Sequence, residues 1–374
     1  MKIGIDARFY DESGVGRYLR NLIKSLSVLD KRNQYYILLL QKDYEGFTEN
    51  KNFKKILADF KWYGFAEQFS LPNLLRQLNL DLVHFPHFNV PIFYRGKFVV
   101  TIHDLIHQHH SMSRSTTLDP FTFRIKQMGY RKVFKVATSK SQKILVPSKS
   151  VQQLLVAEWN VIKDKIIITP EAVDANILKI VDKMVKNDYE KILNKFKIKK
   201  PYLFYVGNAH PHKNVEGLIE AFLVLQQRYP SLKLVLSGYD HYFWQRLKQE
   251  NQHKDIIYAG FVTDDELVAL YKGAAVFVLP SFEEGFGIPI LEAMVCGCPV
   301  VASRAGSLPE VGGEACLYFD PALPEDMVEK ISRVLDDDGL RQQLIKRGSK
   351  RYKQFSWQKL AEKTLEVYNS LKEN

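Results

Sequence analysis

Two successive sets of short runs rich in Val, Ile, Leu and Phe alternate with helix-like stretches along 374 residues, and a Lys-rich, weakly patterned segment separates the sets. These observations predict an α/β protein of two Rossmann-like, doubly wound domains, because strands alternating with helices build parallel sheets covered on both faces. The length exceeds what one core usually organises, and a hydrophobic content of 46% is enough for two.

In chain order, the first strands are expected at 2–5, 35–40, 82–85, 98–103, 143–146 and 166–168, so residues 1–178 form the first domain. After Asp174 the pattern weakens, and 179–200 is read as a linker holding one helix. The second set falls at 202–206, 232–237, 256–259, 275–279, 299–302 and 316–319, within a domain spanning 201–354. Trp357, Leu360, Ala361, Leu365 and Tyr368 then share one face of a closing amphipathic helix, with Ser356 as its N-cap.

Composition excludes several classes. No apolar run approaches the roughly 18 residues of a membrane span, and MKIGIDARFYDESGVG enters a strand pattern without a signal-peptide core, so a cytoplasmic location is expected. Cys296 and Cys298 are too few and too close for a disulfide framework and read as packed thiols. His107, His109 and His110, and His210 with His212, lack a Cys or carboxylate at ligand spacing, which favours a solvated or phosphate-facing role over metal. Asp336, Asp337 and Asp338 end a surface helix and are not read as metal ligands.

Charge is uneven. Residues 1–200 carry a net +15 and the remainder −4. Between Pro120 and Lys143 stand Arg124, Lys126, Arg131, Lys132, Lys135, Lys140 and Lys143 with no acidic residue, interleaved with apolar positions such as Phe121, Phe123, Tyr130 and Phe134. Such a helix suits an anionic lipid surface, and equally the solvated face of an ordinary helix. No nucleic-acid partner is expected.

The stretch from Ala275 to Ser303 carries the most chemistry. An apolar strand leads into a Gly-bearing loop, Ser281 to Gly287, and at once into a helix with Pro289 in its first turn and Gly297 at its end. This aims backbone N–H groups near Gly287 and Ile288 at the strand's carboxyl end, where an anion is favoured. Glu284 and Glu292 flank that point with seven residues between them, so a long ligand with hydroxyls at both ends, such as a nucleotide sugar, could meet both.

These residues resemble the retaining glycosyltransferases of family 4, whose fold is GT-B, two Rossmann-like domains facing across a cleft. The signature is a Glu, seven residues and a Glu, within a phrase much like Pro280 to Ser303. The resemblance implies that Glu284 holds donor-sugar hydroxyls, Glu292 holds the ribose, and the backbone of Phe286, Gly287 and Ile288 touches sugar and diphosphate. It also implies that 355–374 return to complete the first domain.

Three further sites fit this reading. Ser13 to Arg17, SGVGR, opens a helix after the first strand, and its glycines let backbone approach a phosphate closely. A third glycine and a distal acidic residue are missing, which counts against NAD; the resemblance places Gly14 and Gly16 beneath the donor diphosphate and beside the acceptor. His103 closes the run FVVTIH, and relatives use a matching His near the reacting carbon. Gly207 to Asn214 follows the first strand of the second domain; Lys213 can neutralise a departing diphosphate. Where many relatives place an Arg, this chain has Asn208, with His212 as the open substitute.

The activity implied is transfer of a sugar from a nucleoside diphosphate to a glycan or lipid-linked hydroxyl with retention, without cofactor or metal. The wording GIDAR, SGVGRY, TIHDL and YVGNAHPHKN looks most like bacterial mannosyltransferases using GDP-mannose. A nucleotide-sugar 2-epimerase and a non-catalytic sugar-nucleotide-binding protein share the architecture and remain alternatives.

Overall fold

The strands form where branched and aromatic residues run without interruption, because parallel strands are buried on both faces. A computed structural model describes residues 1–106, 120–239 and 241–372. In the amino-terminal part it contains β1 (Lys2–Asp6), β2 (Gln34–Leu39), β3 (Phe53–Leu57), β4 (Leu82–Phe85), β5 (Phe98–Thr101), β6 (Ile144–Val146) and β7 (Ile166–Ile168). They make one parallel sheet in the order β3-β2-β1-β4-β5-β6-β7. The second sheet contains β8 (Tyr202–Val206), β9 (Lys233–Ser237), β10 (Ile256–Gly260), β11 (Val276–Leu279), β12 (Val300–Ser303) and β13 (Cys316–Phe319), ordered β10-β9-β8-β11-β12-β13 and also parallel.

Strand order reverses between β1 and β4 in the first sheet and between β8 and β11 in the second. Loops leaving such neighbouring strands diverge to opposite faces and leave a crevice at the carboxyl ends, the usual ligand position in open α/β sheets. β3, FKKIL, was not expected as a strand: Lys54 and Lys55 interrupt its apolar pattern, as an edge strand tolerates. β5 ends at Thr101, so His103 stands beyond the strand and not at its last position.

The chain divides into two compact units. The first holds Met1–Leu105, the described part of Thr116–Glu171, and the chain from Ser356 onward; the second holds Ala172–Phe355. The segment 179–200, expected as a linker with one helix, instead belongs to the second unit and contains parts of two helices, Ala175–Lys183 and Lys186–Lys195. Ile177, Leu193 and Ile198 are buried in that unit's core while the many lysines stay on the solvent side.

The closing helix Trp357–Ser370 starts at Ser356, whose hydroxyl accepts from Gln358 N, and buries Trp357, Leu360, Ala361, Thr364, Val367 and Tyr368. Tyr368 reaches the first sheet: its hydroxyl lies 2.6 Å from Nδ1 of His84 on β4, whose Nε2 lies 2.7 Å from the Thr101 hydroxyl on β5. Thr101 also meets the Tyr18 hydroxyl at 3.1 Å. The buried polar groups of the strands and of this helix thereby satisfy one another, as a buried network must.

A second buried cluster closes β1. The Arg8 guanidinium, fully buried, donates to Asp6 and, at 2.6 Å, to Glu67 Oε1, and also donates to the Phe60 carbonyl at 2.9 Å. Asn89 Nδ2 donates to the same Glu67 oxygen at 2.8 Å. Burial pushes the Glu67 carboxyl up although Arg8 and Asn89 pull it back.

Burial, with the charge of His103 adding to it, pulls His84 down from 6.5 to about 3, so it is neutral in the folded chain. The folded value lies below the unfolded one, so the unfolded chain binds the extra proton, and this stability is present above pH 6.5 and lost as pH falls toward 3. The expected contribution is about 1.4 kcal/mol per pH unit across that window. Wild-type melting should therefore fall more steeply with acid than that of His84→Gln; equal slopes would mean that His84 carries charge in the fold.

Candidate functional site

In the second unit the reversal places the loop after β8 beside the loop after β11. Pro211–Lys213 forms a single 3-10 turn that ends at Asn214, φ +53. Asn214 Nδ2 donates to the Pro280 carbonyl at 3.2 Å, and Phe282 N donates to the His212 carbonyl at 2.7 Å, so the two loops are fastened to each other. Lys213 Nζ consequently donates to Glu284 Oε1 at 2.8 Å, with side-chain exposures of 15% and 11%. Ser281 Oγ donates to the same carboxylate oxygen at 2.7 Å.

The Glu284 backbone is held from the other side. Ser307, fully buried, donates its N–H to the Glu284 carbonyl at 3.3 Å and sets its hydroxyl 3.0 Å from that oxygen and 2.8 Å from the Phe286 carbonyl. Gly287, at φ +95, is the N-cap of the helix Ile288–Val295, a conformation that only glycine adopts without strain. The first turn of that helix presents its backbone dipoles beside the Lys213–Glu284 pair, so the spot combines a cation, a carboxylate and an anion-favouring helix end.

Glu292 behaves differently from Glu284. It is 3% exposed, and the Tyr271 hydroxyl donates to its Oε2 at 3.1 Å. Burial and the Glu292 charge keep the Tyr271 phenol protonated well above its ordinary range. No local pattern marks Tyr271, Ser281 or Ser307 as a partner of either glutamate.

Asn208 does not supply the cation that the sequence lacks. Its carbonyl accepts from the Tyr205 hydroxyl at 2.6 Å, and its side-chain oxygen accepts from His210 N at 3.3 Å, so it shapes the loop. His212 is buried and its ring stacks on His210 with centroids 5.8 Å apart. Among the described residues no three His, Cys, Asp or Glu side chains converge as a metal-binding group.

In the first unit, a side chain at Gly16 would lie 2.6 Å from the Tyr10 carbonyl oxygen and 2.8 Å from that of Phe9, whereas one at Gly14 would meet nothing within 4 Å. Packing thus demands glycine only at Gly16. His103 uses both ring nitrogens: Nδ1 lies 2.9 Å from Glu171 Oε1 and Nε2 lies 2.9 Å from the Pro86 carbonyl. Both partners are acceptors, so the ring donates twice. Burial lowers its pKa, but the Glu171 hydrogen bond and charge, Asp104 and the Pro86 carbonyl outweigh it, and the net direction is up. With both ring nitrogens set against acceptors, the imidazolium form of His103 is favoured. Glu171 was not legible as its partner.

Cys296, Cys298 and Cys316 are free and buried, their thiols raised by burial. Asp336 accepts from Arg228 and Tyr229, and Asp337 accepts from Leu340 N as a helix cap. His107, His109 and His110 lie outside the described residues. In the helix Pro120–Lys140, Arg124, Arg131, Lys132, Lys135 and Lys140 are exposed, as is Met128. Phe134 and Tyr130, expected on a lipid-facing side, instead pack against Phe88 in the core; the side chains of Phe121, Phe123, Ile125 and Lys126 lie outside the description. Among the described residues no helix is long and apolar enough to cross a membrane.

Comparison with known proteins accounts for both units. Residues 13–177 match the family model described as Glycosyltransferase Family 4, and residues 188–351 match that described as Glycosyl transferases group 1. The chain is 30% identical to the O-antigen chain mannosyltransferase B of Escherichia coli over 388 aligned positions, covering 97% of each. It is 29% identical to the serotype-specific mannosyltransferase WbdA of Escherichia coli across 77% of this chain and 35% of that longer protein. Among solved structures, the Anabaena Alr3699/HepE complex with UDP-glucose superposes with a TM-score of 0.77 at 16% identity, covering 99% of this chain and 100% of that one. A glycosyltransferase from Rickettsia africae ESF-5 superposes with a TM-score of 0.74 at 18% identity, covering 100% and 99%. The chain therefore belongs to the family 4 glycosyltransferases and has the GT-B fold.

Proposed function

We propose that this glycosyltransferase moves mannose from GDP-mannose to a hydroxyl of a glycan or lipid-linked acceptor, with retention at the anomeric carbon. The observation that carries the reading is the Lys213–Glu284 pair, 2.8 Å apart at the strand-order reversal beside the helix end at Gly287 and Ile288. The relatives named as mannosyltransferases support the sugar, and the O-antigen relative supports a polysaccharide product.

In this reading Glu284 accepts from donor-sugar hydroxyls while Lys213 and the N–H groups of Gly287 and Ile288 stabilise the charge that develops on the departing diphosphate. The Phe286 backbone lines the sugar, Glu292 reaches the ribose through its small exposed edge, and Asn208 shapes the loop. Lys213 would pass from Glu284 to phosphate when the donor arrives, leaving Glu284 held by Ser281. For the first unit, Gly14 and Gly16 keep their donor-contact reading, and His103 contributes through its charge. Retention would follow from front-face attack with the leaving phosphate taking the acceptor proton.

Lys213→Ala and Glu284→Ala should each lower acceptor-dependent GDP release from GDP-mannose by about a hundredfold or more while cooperative melting persists. A changed sugar still attached to its nucleotide, or GDP release that ignores the acceptor, would overturn the transferase reading. No cofactor or metal is proposed, because Lys213 and the helix end supply the positive charge a divalent ion would otherwise provide. EDTA should leave the rate unchanged; inhibition reversed by Mg²⁺ or Mn²⁺ would contradict this.

A membrane-facing role on the cytoplasmic side is proposed for the exposed cations Arg124, Arg131, Lys132, Lys135 and Lys140. The protein should sediment with anionic liposomes and not with neutral ones, and added salt should release it as screening shortens the reach of these charges. Equal binding to both kinds of vesicle, or to neither at low salt, would favour a water-soluble acceptor.

A further inference from the structure

The strand reversal in the first sheet sets the loop after β1 beside the loop after β4, and aromatic rings gather there. Phe9, three residues beyond β1, stacks on Trp62 with centroids 4.4 Å apart and planes at 27°. His87, two residues beyond β4, lies 5.2 Å from the Phe9 ring, and its edge contact to Tyr63 spans 6.5 Å. Phe9 is buried, Trp62 and His87 are half-buried, and Tyr63 is 61% exposed.

Tyr63 has φ +62, a left-handed conformation that a bulky aromatic residue seldom adopts. The structure holds it there by a specific device: Tyr63 N donates to Glu67 Oε2 at 2.9 Å, and Glu67 is itself gripped by Arg8 and Asn89 in the buried cluster that closes β1. A strained backbone fixed by a buried ion cluster, presenting an exposed ring at the ligand end of a sheet, is the pattern of a functional position.

We propose that Trp62, Tyr63 and His87 form an acceptor-sugar shelf, on which the C–H face of a pyranose ring rests. A sugar carries an apolar face of ring hydrogens, which an aromatic surface matches. The inference rests on the transferase reading and adds to it the place and chemical class of the acceptor's docking.

Titration of the full-length protein with mannotriose in the presence of GDP, followed by calorimetry, tests the shelf. Trp62→Ala and Tyr63→Gly should each weaken trisaccharide binding about tenfold and leave GDP affinity unchanged, while Tyr63→Phe binds as the wild type does. Because glycine is at ease at φ +62, Tyr63→Gly should melt at or above the wild-type temperature, which a merely structural tyrosine would not allow. Trisaccharide binding that is absent from the wild type, unchanged in Trp62→Ala and Tyr63→Gly, or lost only in step with GDP affinity would overturn the proposal. Failure of the transferase reading would show separately, as a wild type that neither binds GDP nor releases it from GDP-mannose.

Discussion

The hydrogen bond from Phe282 N to the His212 carbonyl, 2.7 Å, is the link on which the candidate donor site depends. β8 and β11 are neighbours in space and far apart in sequence, so their loops come together only because the sheet reverses its order there. Once the two loops share that backbone bond, Lys213 has little freedom except to face Glu284, and Ser281 and Ser307 fix the carboxylate and its backbone from either side. Side chains held by such surroundings lose little entropy when a ligand replaces their partners, which is how a site is organised before it is filled.

The opposed behaviour of two histidines shows how partner chemistry sets charge. His84 meets the hydroxyls of Tyr368 and Thr101, groups that can donate as well as accept, so a neutral ring is fully satisfied and burial decides the outcome. His103 meets a carboxylate and a carbonyl, which only accept, so the doubly protonated ring is favoured although it too is buried. The charge on His103 in turn disfavours a second charge on His84. A residue on β4 and one just beyond β5 therefore divide into a structural member and an electrostatic one.

Local signals were legible and long-range ones were not. β4, β11 and β12, buried at every position, could be read from their apolar runs, and Glu284 could be read because strand, loop, glycine and helix follow within one stretch. β3 escaped because its lysines suit a sheet edge, and 179–200 resembled a linker because lysines outnumber the few apolar residues that anchor its helices. Glu171 for His103, Glu67 for Arg8 and Tyr271 for Glu292 carry no local mark: each partner arrives from a distant element, placed by tertiary packing. Phe134 and Tyr130 looked like a lipid-facing stripe because the spacing that faces a membrane is the same spacing that faces a core.

The Arg8 cluster makes sense as a positioning device more than as a source of stability. Removing three charged groups from water costs several kcal/mol per ion, and well-packed apolar residues of similar volume often do as well or better. The upward push on Glu67 shows that cost persisting despite its partners. What apolar packing could not do is hold a backbone N–H: Glu67 accepts from Tyr63 N with one oxygen and from Arg8 and Asn89 with the other, so the loop that carries Trp62 and Tyr63 is tied to the end of β1. Charge burial and backbone strain occur at the same place because one restrains the other, and both lie where the order of the first sheet reverses, the counterpart of the reversal that builds the Lys213–Glu284 site in the second.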